Sequence, residues 1–260
     1  MSLPRALLLD MDGVLYRGST PIEGAAEFLH AISECPFRFI TNNPIATPEQ
    51  VVSNMKAMGL GDFAADAVIT SAQATARYLA SEKADFRFYA IGESGLHTAL
   101  STVGVEDDQA VDYVVVGEGA GLDYQTLSNA IALIQQGAVL ISTNPDITVD
   151  GFIEGKPVVL PGGGALVAPV EKACGVKAIT IGKPEPLLYQ MALADLDVAA
   201  SDCVMVGDRP DTDILGAQRL GLKTVLVRTG RFSIGEPWPV EQALPDWDVS
   251  DLQQLLAAWT

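Results

Sequence analysis

Leu7-Leu8-Leu9-Asp10-Met11-Asp12-Gly13-Val14 is an apolar run that stops abruptly at two aspartates one residue apart, with a glycine behind them. It reads as a short buried strand with both acids at its carboxyl end, where ligands bind in an open α/β sheet. Alternate residues of a strand point to one face, so Asp10 and Asp12 would aim at one point beyond the sheet edge. Two carboxylates sharing a site repel unless a cation lies between them or one holds a proton. The pair points to a metal site, an acid/base pair or both. The plainer alternative is a strand-to-turn junction, which Asp and Gly also favour.

Outward from this stretch, strand-like and helix-like patterns alternate along the chain. Strands are expected at Phe37 to Ile40, Val68 to Ser71, Phe86 to Ile91, Val111 to Val116, Val139 to Ser142, Ala178 to Ile181, Cys203 to Val206 and Thr224 to Val227. Helices are expected at Ala25 to Ile32, Ala72 to Glu82, Leu96 to Ser101, Tyr124 to Gln135, Ala165 to Ala173, Leu187 to Ala194, Ile214 to Leu220 and Leu252 to Trp259. Pro48 marks another helix start, and Gly221 closes the one before it. Such β/α alternation predicts parallel sheets with helices on both faces.

Composition narrows the partners. The 260 residues are 48% hydrophobic, enough for one large core or two smaller ones. No apolar run reaches the ~18 residues of a membrane span. The net charge of −17 disfavours nucleic acid and anionic membranes. An anionic substrate would need the field reversed locally by a metal, a lysine and backbone N–H groups. Cys35, Cys174 and Cys203 lie far apart with no C-x-x-C spacing, which suggests free thiols in a reducing, cytoplasmic setting.

Four strand-like segments end in polar groups, and each has a chemical use if they meet at one edge. The first carries Asp10 and Asp12. The second ends at Thr41-Asn42-Asn43, a hydroxyl, two amides and backbone N–H groups suited to phosphate oxygens, or simply a turn before Pro44. The third ends at Gly182-Lys183-Pro184. The fourth ends at Gly207-Asp208-Arg209-Pro210-Asp211-Thr212-Asp213, where capping could explain Asp211 or Asp213 but explains Asp208 less well. Hard oxygens from Asp10, Asp208 and a backbone carbonyl, with waters, describe a Mg²⁺ site. Arg209 either adds charge at the mouth or pairs with Asp211.

These four segments, in this order, resemble the four motifs of the haloacid dehalogenase superfamily, and they span both ends of the chain. Asp-Met-Asp-Gly-Val-Leu-Tyr-Arg-Gly, Thr-Asn-Asn and Gly-Asp-Arg-Pro-Asp-Thr-Asp-Ile are similar in particular to the NagD-like, 4-nitrophenylphosphatase-like branch. The resemblance implies a Rossmann-like, doubly wound parallel-sheet core with an inserted smaller α/β cap. The core would take residues 1–71 and 177–260, and the cap residues 72–176. Asn144-Pro145-Asp146 and Pro161-Gly162-Gly163-Gly164-Ala165 resemble landmarks of that cap. The stretch from Asn144 to Phe152, including Pro145, Asp146, Ile147 and Thr148, is the candidate specificity loop and contains no Arg, Lys or His.

The resemblance also implies roles. Asp10 is the nucleophile that forms an aspartyl-phosphate, and Asp12 is the general acid and then base. Mg²⁺ binds Asp10, the backbone carbonyl of Asp12 and Asp208, with Asp213 orienting metal-bound water. Thr41, the N–H groups around Asn42 and Asn43, and Lys183 hold the transferring phosphoryl group. The implied activity is hydrolysis of a small phosphorylated metabolite: a sugar phosphate, nucleotide, phosphoglycolate or similar. A phosphotransferase or phosphomutase on the same scaffold, or a Mg²⁺-binding regulatory domain, are the alternatives. A homodimer is a further expectation from the resemblance.

Overall fold

Ala6-Leu7-Leu8-Leu9 forms a strand with no residue accessible to solvent, at the middle of a six-stranded sheet. The computed structural model describes residues 4–239 and 241–259. The sheet order is Trp247–Val249, Lys223–Val227, Cys203–Gly207, Ala6–Leu9, Phe37–Thr41 and Val68–Thr70. The pairings from Trp247–Val249 across to Phe37–Thr41 are all parallel. Chain order runs outward in both directions from Ala6–Leu9, so a switch point lies between it and Cys203–Gly207.

Period-two burial explains why these strands read as continuous apolar runs. Leu7, Leu9, Val204, Val206, Val225 and Val227 pack in one cluster with Phe28, Met55, Leu252 and Trp259 from helices Ala25–Ala31, Pro48–Ala57 and Leu252–Trp259. The intervening Leu8, Met205 and Leu226 are equally buried. Both faces of the sheet are thus covered, as parallel sheets require. Each such side chain contributes about 1.5–3 kcal/mol by leaving water.

The chain divides into two compact units. One comprises the described residues up to Thr41, Pro48–Ile69 and those from Leu188 onward; the other comprises Asn42–Thr47 and Thr70–Leu187. The second unit has its own five-stranded parallel sheet, in the order Ile179–Thr180, Val139–Ser142, Tyr113–Val116, Arg87–Ile91 and Val105–Glu106. Helices Ser71–Glu82 and Tyr124–Gln135 begin with capping boxes, Thr70 with Gln73 and Asp123 with Thr126.

These boundaries differ from the expected 72–176 insert. The strand leading to Lys183 was expected among the core strand ends, but Ile179 and Thr180 pair in register with Ile141 and Ser142 of the second sheet. That pairing carries the segment up to Leu187 into the second unit. Asn42–Thr47 joins it because the Gly95 N–H donates to the Ile45 carbonyl at 2.9 Å. A methyl on Gly95 would stand only 2.6 Å from the Pro44 carbonyl oxygen.

Two further features escaped the pattern reading. Thr148–Ile153 and Lys156–Pro161 form an antiparallel hairpin, so the C-terminal part of the expected specificity loop is a strand. The helix expected from Ile214 begins as a wide π-type turn, Pro210–Ile214, before Leu215–Arg219.

Candidate active site

The acid strand end is built by a tight turn. The Asp10 N–H donates to the Val206 carbonyl at 2.9 Å, extending the sheet by one residue. The Met11 carbonyl then accepts from the Val14 and Leu15 N–H groups, while the Gly13 N–H donates back to Tyr16 at 2.8 Å. Gly13 sits at φ +82°, a left-handed conformation that glycine adopts without penalty. This turn separates the two aspartates. Asp10 is 7% exposed, whereas Asp12 is solvent-exposed.

Asp10 meets Asp208 and Asp213 instead. One carboxylate oxygen from each lies within 4.8 Å of the others, and both partners are 1% exposed. Asp10 and Asp208 follow the two strands that flank the switch point, the place where open α/β sheets bind ligands. Asp213 comes from the π-type turn. Its Oδ2 accepts the Arg209 N–H at 3.1 Å, and the buried Tyr189 hydroxyl donates to the Thr212 carbonyl at 2.8 Å. Burial above all, then the charges of Asp213 and Asp10, pushes the Tyr189 phenol up, so it remains a donor.

Buried negative charges ~5 Å apart repel by about 3–4 kcal/mol per pair at an effective dielectric of ~20. Three hard oxygen donors held together in this way fit a divalent cation such as Mg²⁺. Asp213, expected to orient metal-bound water, offers a carboxylate oxygen within the same 4.8 Å limit. Arg209 spends its charge on Asp211, with contacts of 3.2 and 2.8 Å. Burial pushes the Asp211 carboxyl up, but the guanidinium outweighs this and holds it below its ordinary range.

Asn42 is the centre of a second network that takes in Lys183, Asn144 and Asp146. Thr41 is a buried terminal residue of its strand. Asn42 directs its amide at the backbone of Lys183: Oδ1 accepts from the Lys183 N–H at 2.7 Å, and Nδ2 donates to the Lys183 carbonyl at 3.0 Å. The same Nδ2 donates to Asp146 Oδ2 at 2.9 Å. The Asn42 carbonyl accepts from the Ser71 hydroxyl at 2.6 Å and from Asn144 Nδ2 at 2.9 Å. Asn43 Oδ1 caps its own turn, accepting from the Ile45 N–H at 2.8 Å. The Asn42 and Asn43 side chains thus hold the local backbone. Asn144 and Asp146 are buried members of this network, unlike Ile147, which is exposed.

A turn that the motifs did not include completes the core site. Lys223–Val227 runs parallel to Cys203–Gly207, and the residues after it reach the acids. The Arg231 N–H donates to Asp208 Oδ2 at 2.7 Å, and the Thr229 hydroxyl donates to the Gly13 carbonyl at 2.7 Å. The only sequence signal was a Thr-Gly pair behind a buried strand.

Comparison with known proteins agrees with this geometry. Residues 7–106 match the haloacid dehalogenase-like hydrolase family, and residues 180–255 match a HAD-hydrolase-like family. An acid sugar phosphatase of Staphylococcus haemolyticus is 40% identical over 95% of this chain and 94% of its own length. A double mutant of the thermostable NPPase from Geobacillus stearothermophilus superposes with a TM-score of 0.86 at 34% identity, covering 97% of this chain and 98% of its own. NagD from E. coli K-12 superposes with a TM-score of 0.84 at 32% identity, with the same coverage. The chain therefore belongs to the haloacid dehalogenase-like hydrolases, in the NagD-like branch, and is a phosphatase. Among the described residues, no helix is long and apolar enough to cross a membrane.

Proposed function

We propose that the chain is a Mg²⁺-dependent phosphomonoesterase that hydrolyses a small phosphorylated metabolite through an aspartyl-phosphate on Asp10. The carrying observation is the group of three buried carboxylates, Asp10, Asp208 and Asp213, gathered at the switch point. A sugar phosphate heads the substrate classes, on the strength of the acid sugar phosphatase relatives.

Asp10, the Asp12 carbonyl and Asp208 would hold Mg²⁺, with Asp213 beside them. When bound, Mg²⁺ offsets the charge of the carboxylates and of the phosphoryl group. An Asp10 oxygen attacks phosphorus, and the bond to the ester oxygen breaks. The Asp12 carboxyl, exposed and outside the buried trio, gives its proton to that leaving oxygen. Water then attacks the phosphorus of the acyl phosphate while Asp12 takes a proton from it, and inorganic phosphate leaves with Asp10 restored. Thr41, the N–H groups of Asn42 and Asn43, and the ammonium of Lys183 hold the phosphoryl oxygens. The three cysteines are free, which supports a reducing compartment.

The test is phosphate release from a panel of sugar, nucleotide and glycolate phosphates, with Mg²⁺ and with EDTA, for the wild type, Asp10→Asn and Asp12→Asn. Asp10→Asn should lose turnover while staying folded. Full activity in that variant would overturn the nucleophile assignment.

A further inference from the structure

We propose that the turn Thr229-Gly230-Arg231 is a positioning element for the metal site, setting the Asp208 carboxylate and the Asp12–Gly13 turn for the cation. This rests on the reading of Asp208 as a cation ligand. A carboxylate that binds a metal needs one oxygen free to ligate and a fixed orientation, which outer hydrogen bonds provide. Here the Arg231 N–H fixes Oδ2 of Asp208. The Thr229 hydroxyl fixes the Gly13 carbonyl, next to the Asp12 carbonyl that is the expected third ligand. One short turn therefore bonds both ligand-bearing segments, the Asp10–Gly13 stretch and Asp208.

The approach is close enough to demand glycine. A methyl group on Gly230 would overlap the Asp208 carboxylate. From the other side, one on Gly13 would stand 2.5 Å from Asp208 Oδ2 and 2.9 Å from the Gly230 Cα. Asp208 thus lies between two glycines from different strand ends. Neither can gain a side chain without turning the ligand.

The turn has its own strut. The Arg228 guanidinium donates to both oxygens of Asp248 at 2.8 and 2.7 Å. It also donates to the Ser233 and Glu236 carbonyls at 3.1 and 3.0 Å. The Phe232 ring centroid lies 4.5 Å from the guanidinium carbon. The loop that follows Lys223–Val227 is thereby wrapped around one cation whose bonds all go to backbone carbonyls and Asp248, away from the acids. Arg228 is a distal handle on the ligand geometry.

The experiment measures Mg²⁺ binding to substrate-free enzyme, by calorimetry and by the Mg²⁺-induced rise in Tm. The chains compared are wild type, Gly230→Ala, Thr229→Val, Thr229→Ser and Arg228→Met. Gly230→Ala and Thr229→Val should weaken Mg²⁺ by about 10–100-fold, the usual effect of removing an outer-shell partner. Their half-saturating Mg²⁺ for turnover should rise in step, while KM for p-nitrophenyl phosphate at saturating Mg²⁺ stays put. Thr229→Ser keeps the hydroxyl and should bind as the wild type does. Arg228→Met should weaken Mg²⁺ in the same direction and decides the matter if Gly230→Ala does not fold. Folded variants that bind Mg²⁺ as the wild type does would overturn the positioning role alone. A wild type with no measurable Mg²⁺ binding would instead overturn the cation reading, and the proposal with it.

Discussion

Asn42 brackets the backbone of Lys183, its side-chain oxygen on the Lys183 N–H and its side-chain nitrogen on the Lys183 carbonyl. Lys183 is 2% exposed, so those backbone groups have no ready replacement from water. Gly182 lets the strands approach: a methyl there would stand 2.7 Å from Asn42 Oδ1 and 2.6 Å from the Thr143 carbonyl. Asn42→Ala leaves buried polar groups unsatisfied, a cost of about 1–3 kcal/mol each. The expected outcome is a lower Tm and a fall of about 10²-fold in kcat/KM, comparable to losing one phosphoryl-stabilising donor. Denaturant melts and initial rates on p-nitrophenyl phosphate check both.

The three gathered carboxylates predict how metal and stability are linked. Removing Mg²⁺ with EDTA should stop turnover, and Mg²⁺ should restore it. A ligand that binds only the folded state adds about 2.7 kcal/mol at a hundred times its Kd, so Mg²⁺ should raise the wild-type Tm. Asp208→Asn should lose that rise. In EDTA the same variant should be at least as stable as the wild type, since one buried charge is gone. Thermal melts with and without Mg²⁺ read all three outcomes.

Gly13 carries two independent constraints, a φ of +82° and the close approach to Asp208. Gly13→Ala should cost more than the ~1 kcal/mol of the backbone conformation alone, because the new methyl also displaces the carboxylate. A variant as stable as wild type, with unchanged Mg²⁺ demand, would refute the tight-turn account.

Cys203 begins the buried strand Cys203–Gly207, and burial pushes its thiol up to about 12. In the native protein it should resist alkylation at pH 8, whereas unfolding should expose it. The sign of the pH effect follows from linkage. The unfolded chain releases this proton near 9 and the folded one near 12. The contribution is therefore whole below pH 9 and is lost as pH climbs from there toward 12. Urea melts across that range should show the decline in the wild type and a weaker one in Cys203→Ala.

Much of the site was legible because its signals are local. Asp10 and Asp208 each follow an apolar run of strand length, and Thr41 closes another. Asp12 was assigned no side-chain role at the metal, and it lies exposed beside the buried trio. Less legible were contacts whose partners are far apart in the chain. Asn42 and Asn43 were assigned through the N–H groups around them, and nothing local announces that the Asn42 side chain bonds the Lys183 backbone 141 residues away. Asn144 and Asp146 do lie in a loop, but their bonds to Asn42 span 102 and 104 residues of chain and have no local signal. The Arg231 N–H that holds Asp208 is a backbone group, which no residue type advertises.

The order of strands and helices, the apolar runs that must be buried on two faces and the acids at strand ends are consequences of local composition and period, and the chain alone dictates them. Which sheet each strand joins is not local. Ile179–Thr180 is only two residues long and partly exposed, and no local signal assigns it to the edge of the second sheet, where it pairs with Val139–Ser142. The gathering of Asp10, Asp208 and Asp213 likewise depends on two strands 197 residues apart lying side by side, Ala6 against Cys203. Hydrogen bonding between distant strands, and the close approach that bare glycines permit around Asp208, turned a row of acidic strand ends into one cluster of buried carboxylates.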